Sequence, residues 1–383
     1  MKKLVVGFIA LGLLCLHIYK PSILEVVKLR AFDYAVKTEE TTGNIVLLNI
    51  AESDVRNEGG WPFPRDRLAQ IHVDLLNAGA LSVSWVAVFS EPDRFGGDEA
   101  FAEALSYAPS VIAMFETDGY SEIPKTEGTV ILGDDFGGVL AKGVTQNIQP
   151  LRDVSLQGIV GATLEADLLL RRMPLLMRSP DGWMASFGTQ LLKAVTGTST
   201  YVIKTNSNGI EQVRVKQLNP IPTDSEGRVW VNWVAPKETS LQEMDVQGKV
   251  VIVGTTAKGI LPQVSTPVGL LYPHQIQASL AETIIHASNK RMPMIPQEAM
   301  LYEAAILLVG MLLVFTAINY LGIYLGVLCS FALISATLTL GYHLVGKGFL
   351  VDVTFAMLSE FIIASATFYV NYREQYKLKE QIK

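Results

Sequence analysis

Residues 304–342 contain no Asp, Glu, Lys or Arg. An uncharged run of that length is about twice what one membrane-crossing helix needs, and Asn319-Tyr320-Leu321-Gly322 offers a tight turn to divide it. Two more apolar stretches accompany it, LVVGFIALGLLCLHIY at 4–19 and residues 348–370. They explain why the chain, at 49% hydrophobic and 18% charged residues, with a mean hydropathy of +0.31, is too apolar for an average soluble enzyme. The pattern predicts four transmembrane α-helices, one N-terminal and three C-terminal.

The basic flank of the first apolar stretch also suits a cleaved signal peptide. No small-x-small cleavage pattern precedes Lys20-Pro21, however, which favours an uncleaved anchor over 1–20. LGLLC, ending at Cys15, has Leu14 where a lipid-modification site wants a small residue. Lys2 and Lys3 at one end, with Arg373, Lys377, Lys379 and Lys383 at the other, favour both termini in the cytoplasm. Residues 21–300 then lie outside the inner membrane, periplasmic in a two-membraned bacterium. Both cysteines, Cys15 and Cys329, fall in predicted membrane segments, so no disulfide is expected in the water-facing part. The net charge of -6 and the lack of a basic stripe argue against a nucleic-acid partner.

The water-facing stretch has room for one large α/β domain or two small ones. NIVLLNI at 44–50 reads as a buried strand, and Pro64 opens a helix whose first turn carries Asp66. Gly79 stops that helix, and ALSVSWVAVF at 80–89 reads as the next strand. This is a βαβ unit, with parallel pairing and a right-handed crossover expected. A helix at 97–108, strands at 110–115, 228–234 and 249–256, and helices at 182–195 and 273–288 follow. Residues 116–160, with IPKTEGTV and LGDDFGGV, are rich in turn residues and read as hairpins and loops.

GGWPFPR (59–65), NAGALSV (77–83), FSEPDRFGGDEAFAEAL (89–105), DLLLRRMPL (167–175), KVVIVGTTAKGI (249–260), STPVG (265–269) and HQIQASLAETII (274–285) together resemble, in order, the CHASE2 domain. The resemblance covers nearly the whole chain. It implies an α/β extracytoplasmic sensory domain, with one membrane helix before it and three after it, as found in bacterial receptors. In such receptors the last helix leads to an adenylate or guanylate cyclase, a kinase or a diguanylate cyclase. NYREQYKLKEQIK (371–383) has charges at helical spacing suited to projecting into the cytoplasm, towards an output domain of a longer chain or a separate partner protein. Two departures stand out. The family usually reads I-D-E where this chain has Ile50-Ala51-Glu52, and usually carries an Asp where it has Val86.

In an open α/β sheet, ligands sit beyond the carboxyl ends of the strands, and both departures would lie there on neighbouring strands. Glu52, Trp61, Arg65, Glu91 and Asp93 are the residues expected to line such a crevice around a small molecule, with Trp61 as its aromatic wall. The alternative is that Arg65 and one carboxylate form an ion pair bracing the loop. In GTTAKG (254–259), Thr255 and Thr256 follow a buried strand and offer backbone amides to an anion. The segment lacks both the GK[ST] ending and the GxGxxG form of nucleotide sites, and tight strand-to-loop packing is the competing account. His17, His72, His274, His286 and His343 have no ligand spacing, so neither a metal nor a cofactor is expected. No catalytic motif is present. Glu360 sits inside the last apolar stretch, where an acid is either functional or held protonated by its neighbours. Two functions fit: a homo-oligomeric receptor that senses an extracytoplasmic ligand, or a structural scaffold subunit of an envelope assembly built from a degenerate CHASE2 protein.

Overall fold

The structure, a computed structural model, describes residues 2–35, 40–117, 128–161, 163–289 and 299–382. The chain divides into a unit spanning Thr38–Met292 and a helical unit formed by Met1–Lys37 with Pro293–Lys383.

The first unit is built on a mostly parallel sheet. Its strands are β1 (Ile45–Ile50), β2 (Ser82–Trp85), β3 (Val111–Glu116), β4 (Val144–Thr145), β5 (Leu156–Val160), β6 (Lys237–Thr239) and β7 (Val250–Thr255). They run in the order β6-β1-β7-β2-β3, and β3 carries both β5, in parallel, and β4, antiparallel at its carboxyl end. The helices are α1 (Arg65–Asn77), α2 (Asp98–Ser106), α3 (Phe187–Thr196) and α4 (Pro273–Ser288).

The near-continuous apolar runs make sense because both faces of the sheet are covered. Successive residues alternate between two cores. Ile45, Leu47, Val250 and Ile252 pack in one, with Leu191 of α3 and Leu280 of α4. Val46, Leu48, Val251 and Val253 pack in the other, with Leu68 and Leu75 of α1 and Phe101 of α2. A smaller sheet of Thr129–Leu132, Tyr201–Asn206, Gly209–Val215 and Ile221–Pro222 adds Ile203 and Val213 to the first core.

Several expectations need correction. β1 and β2 are parallel but do not pair, because β7 lies between them and hydrogen-bonds to both. The strand expected at 80–89 ends at Trp85; Val86 still donates to the Val253 carbonyl at 2.9 Å, then the chain leaves the sheet. The helix expected at 182–195 starts only at Phe187, because Gly182–Ala185 forms a hairpin with Leu176–Ser179. The strand expected at 228–234 stops at Trp230; Val231 still donates to the Arg171 carbonyl, in register with the Trp230–Arg172 pair, and the pairing goes no further. The turn-rich 116–160 stretch contributes β4, β5 and a strand of the smaller sheet; most of IPKTEGTV lies outside the described residues.

In the helical unit, Ala299–Tyr320 (mean hydropathy 2.3) and Ile323–Gly346 (2.0) are long and apolar enough to cross a membrane. Gly322 turns the chain between them at φ +79°, where a side chain would be strained. Gly326 lets the two helices meet: a Cβ there would stand 2.5 Å from the Ile318 Cα. Leu4–Tyr19 and Ser22–Tyr34 form a pair bent by 77° that passes the same test only when taken together. The last helix, Thr354–Ile382, runs unbroken into its charged end and is not among the helices that meet the test.

Candidate functional site

β1, β7 and β2 end together, and a crevice of about 410 Å³ opens beyond their carboxyl ends. Its floor is apolar, with Ile50, Val86 and Val253. Trp61, Phe89 and Phe115 give aromatic surface, and Ile260 and Leu261 close another side. Of the residues expected there, Trp61, Arg65, Glu91, Asp93 and Thr255 line it.

Glu52 and Thr256 do not. Glu52 begins a short helix, Glu52–Asn57, and accepts the Lys258 N–H at 3.1 Å, so its carboxylate ties down the 257–259 loop. Thr256 donates its N–H to the Ile50 carbonyl and accepts the Tyr272 hydroxyl on its own carbonyl. Ala51 and Val86 directly follow β1 and β2, which β7 separates, so the two departures are not on neighbouring strands.

The loop from Gly59 to Arg65 reaches the crevice because Pro64 caps α1 and sets Arg65 as its first residue. The Trp61–Pro62 peptide is cis, and the Trp61 ring meets Phe63 edge-on at 5.2 Å. Arg65 is only 7% exposed. Its guanidinium lies 4.4 Å over the Phe89 ring and 3.5 Å from the Asp98 carboxylate. Burial pulls the group below its ordinary value, against the opposing fields of Asp98 and Asp93. The Arg65 backbone N–H donates to Asp93 at 2.9 Å, and Gly97 N–H donates to the same oxygen at 3.2 Å. Burial pushes the Asp93 carboxyl up, but the N–H groups of Arg65, Phe95 and Gly97 and the Arg65 charge outweigh it and hold the group below its ordinary value. Asp98 accepts the Asp93 N–H at 2.7 Å. Gly97 is required here, because a Cβ would stand 2.5 Å from the Asp66 nitrogen. The ion-pair reading of Arg65 is thus realised as a lattice in which two acids brace the 91–98 loop on α1.

Asp98 escaped the sequence reading, which placed it simply at a helix start. The acid just after Gly96-Gly97, opening one helix beside another that an arginine opens, was the available signal.

Two buried histidines lie beside the crevice strands. His72 of α1 accepts the indole N–H of Trp85 on Nδ1 at 3.2 Å, and burial lowers it to about 4. His274 of α4 shares a 2.8 Å hydrogen bond with Asn49 of β1, and burial lowers it to about 4 as well. The His274 ring packs where Gly254 lacks a side chain: a Cβ there would lie 2.2 Å from it. The close packing at the head of GTTAKG is thus strand against helix, not strand against loop. Thr255 donates its hydroxyl to the Ile50 carbonyl at 3.2 Å and accepts the Ala257 N–H at 3.1 Å. Among the described residues no group of three or more His, Cys, Asp or Glu side chains is arranged to hold a metal ion.

No curated protein and no solved structure matches this chain. The family model for the CHASE2 domain matches residues 7–317, from within the first helix, through the whole α/β unit, to the helix Ala299–Tyr320. The chain therefore belongs to the CHASE2 domain family, a family of extracytoplasmic sensory domains.

Proposed function

We propose that the chain is an inner-membrane receptor whose α/β unit senses a small molecule outside the cytoplasm and passes a conformational change through its helices to a cytoplasmic output. The observation that carries this reading is the crevice at the carboxyl ends of β1, β7 and β2, which joins an apolar floor and aromatic walls to Arg65 and Glu91. A site of that composition takes a ligand with an apolar body and a polar end. Four spans, with both termini in the cytoplasm, accommodate the basic residues at the two ends of the chain. The unbroken helix Thr354–Ile382 supplies a continuous rod for the output, an adenylate cyclase or another partner in the same or a separate chain. Assembly as a homo-oligomer would let paired rods report relative shifts.

A second reading, a scaffold subunit of an envelope assembly, draws support from Asp93 and Asp98, both engaged in bracing the loop.

Topology is tested first, with Arg94→Cys and Lys377→Cys placed singly in a chain whose Cys15 and Cys329 are serine. A membrane-impermeant maleimide should label Arg94→Cys in cells with a permeabilised outer membrane, and Lys377→Cys only after lysis. The reverse pattern would sink the receptor orientation.

A further inference from the structure

We propose that Glu360 is a proton-binding site, carried as the neutral acid and built by three helices of the helical unit. Each helix contributes one element of it. Glu360 of Thr354–Ile382 is 0% exposed. Thr337 of Ile323–Gly346 donates its hydroxyl to Glu360 Oε1 at 2.7 Å. Gly310 of Ala299–Tyr320 makes the room, because a Cβ there would stand 2.0 Å from the same oxygen. Glu360 Oε2 is buried and has no hydrogen-bond partner among the described residues.

An ionised carboxylate in this place would set a full charge against one hydroxyl, at a cost far above that of an unsatisfied neutral hydroxyl. Among the described residues Glu360 has no basic hydrogen-bond partner. Of the helices packed on it, Ala299–Tyr320 carries Glu303, which instead accepts the Asp352 N–H at 3.1 Å, and Ile323–Gly346 carries His343. From Leu4 onward the first two helices of this unit carry His17, Glu25, Lys28, Arg30 and Asp33, and the last helix carries its next charge only at Arg373. Among the described residues none of these hydrogen-bonds to Glu360. A metal cation needs several more oxygens than one carboxylate and one hydroxyl provide. A proton on Oε2 removes the charge with nothing else required.

The test is infrared spectroscopy of the full chain in lipid nanodiscs at neutral pH. The wild type should show a carboxylic-acid C=O band that is lost in Glu360→Gln. In Thr337→Val, which keeps the acid but removes its hydrogen bond, the band should shift to higher frequency. Spectra in which Glu360→Gln changes only carboxylate bands would overturn the proposal. If Glu360→Gln does not fold, Thr337→Val against wild type decides alone: a shifted acid band supports the site, and an unmoved acid region refutes it.

Discussion

Arg65 in the α/β unit and Glu360 in the helical unit are both ionisable groups more than nine-tenths buried, yet their surroundings are opposites. Arg65 sits among an aromatic ring, the Asp98 carboxylate and a second acid on its own backbone. Glu360 meets one threonine hydroxyl and a glycine. The α/β unit holds a buried charge by pairing it with an opposite one, whereas the helical unit holds Glu360 with a neutral hydroxyl and no countercharge among the described residues. Where neighbours of opposite charge are available, burial builds a brace; where none are, it selects the neutral form.

The largest effect should come from breaking the partnered side. Arg65→Ala leaves Asp98 without its cation and Phe89 without its stacking partner, and should destabilise the α/β unit by about 3 kcal/mol in urea unfolding. A loss under about 0.5 kcal/mol would mean that the brace is ornamental. Gly254→Ala drives a methyl into the His274 ring and should cost about 2 kcal/mol by the same measurement.

Acid should weaken the α/β unit through its histidines. His72 and His274 have an ordinary value of 6.5 and titrate near 4 when folded, so the unfolded chain takes up their protons first. Their contribution is complete above pH 6.5 and is lost as the pH falls towards 4. Protonating His72 also removes the acceptor of the Trp85 indole. His72→Gln, which keeps an acceptor without a titrating group, should flatten that part of the melting-temperature profile. An unchanged profile would show that His72 is not the titrating group. The smallest effect is expected of Glu52→Gln, about 0.5–1 kcal/mol from a weakened bond to Lys258 N–H. Because Glu52 stands outside the crevice, any bound ligand should be unaffected.

Much of the fold was legible where physics is local. NIVLLNI, SVIAMF and KVVIVGTT read as buried strands because a sheet covered on both faces demands unbroken apolar runs, and Pro64 and Gly79 marked the ends of α1. The insertion of β7 between β1 and β2 was not legible, since the chain returns from far downstream to make it. Gly182–Ala185 misled for another reason: Trp183 and Met184 fit a helical stripe as well as a hairpin facing Leu176–Ser179. At the crevice, Trp61, Glu91 and Asp93 stood out as polar or aromatic residues in connecting loops, and Arg65 as the charge that opens α1. Ile260, Leu261 and Phe115 carried no such mark, and Glu52 looked suitable only because its engagement with Lys258 requires the folded loop.

Native mass spectrometry of the full chain, extracted from the membranes in which it is made, tests the sensing claim most directly. The receptor account predicts a small molecule bound to wild type and absent from Trp61→Ala, whose half-buried ring can be removed without touching the Arg65 brace, while the circular dichroism of the two proteins agrees. A wild type that carries no small molecule but holds a stoichiometric protein partner would contradict it, as would a ligand retained unchanged in folded Trp61→Ala.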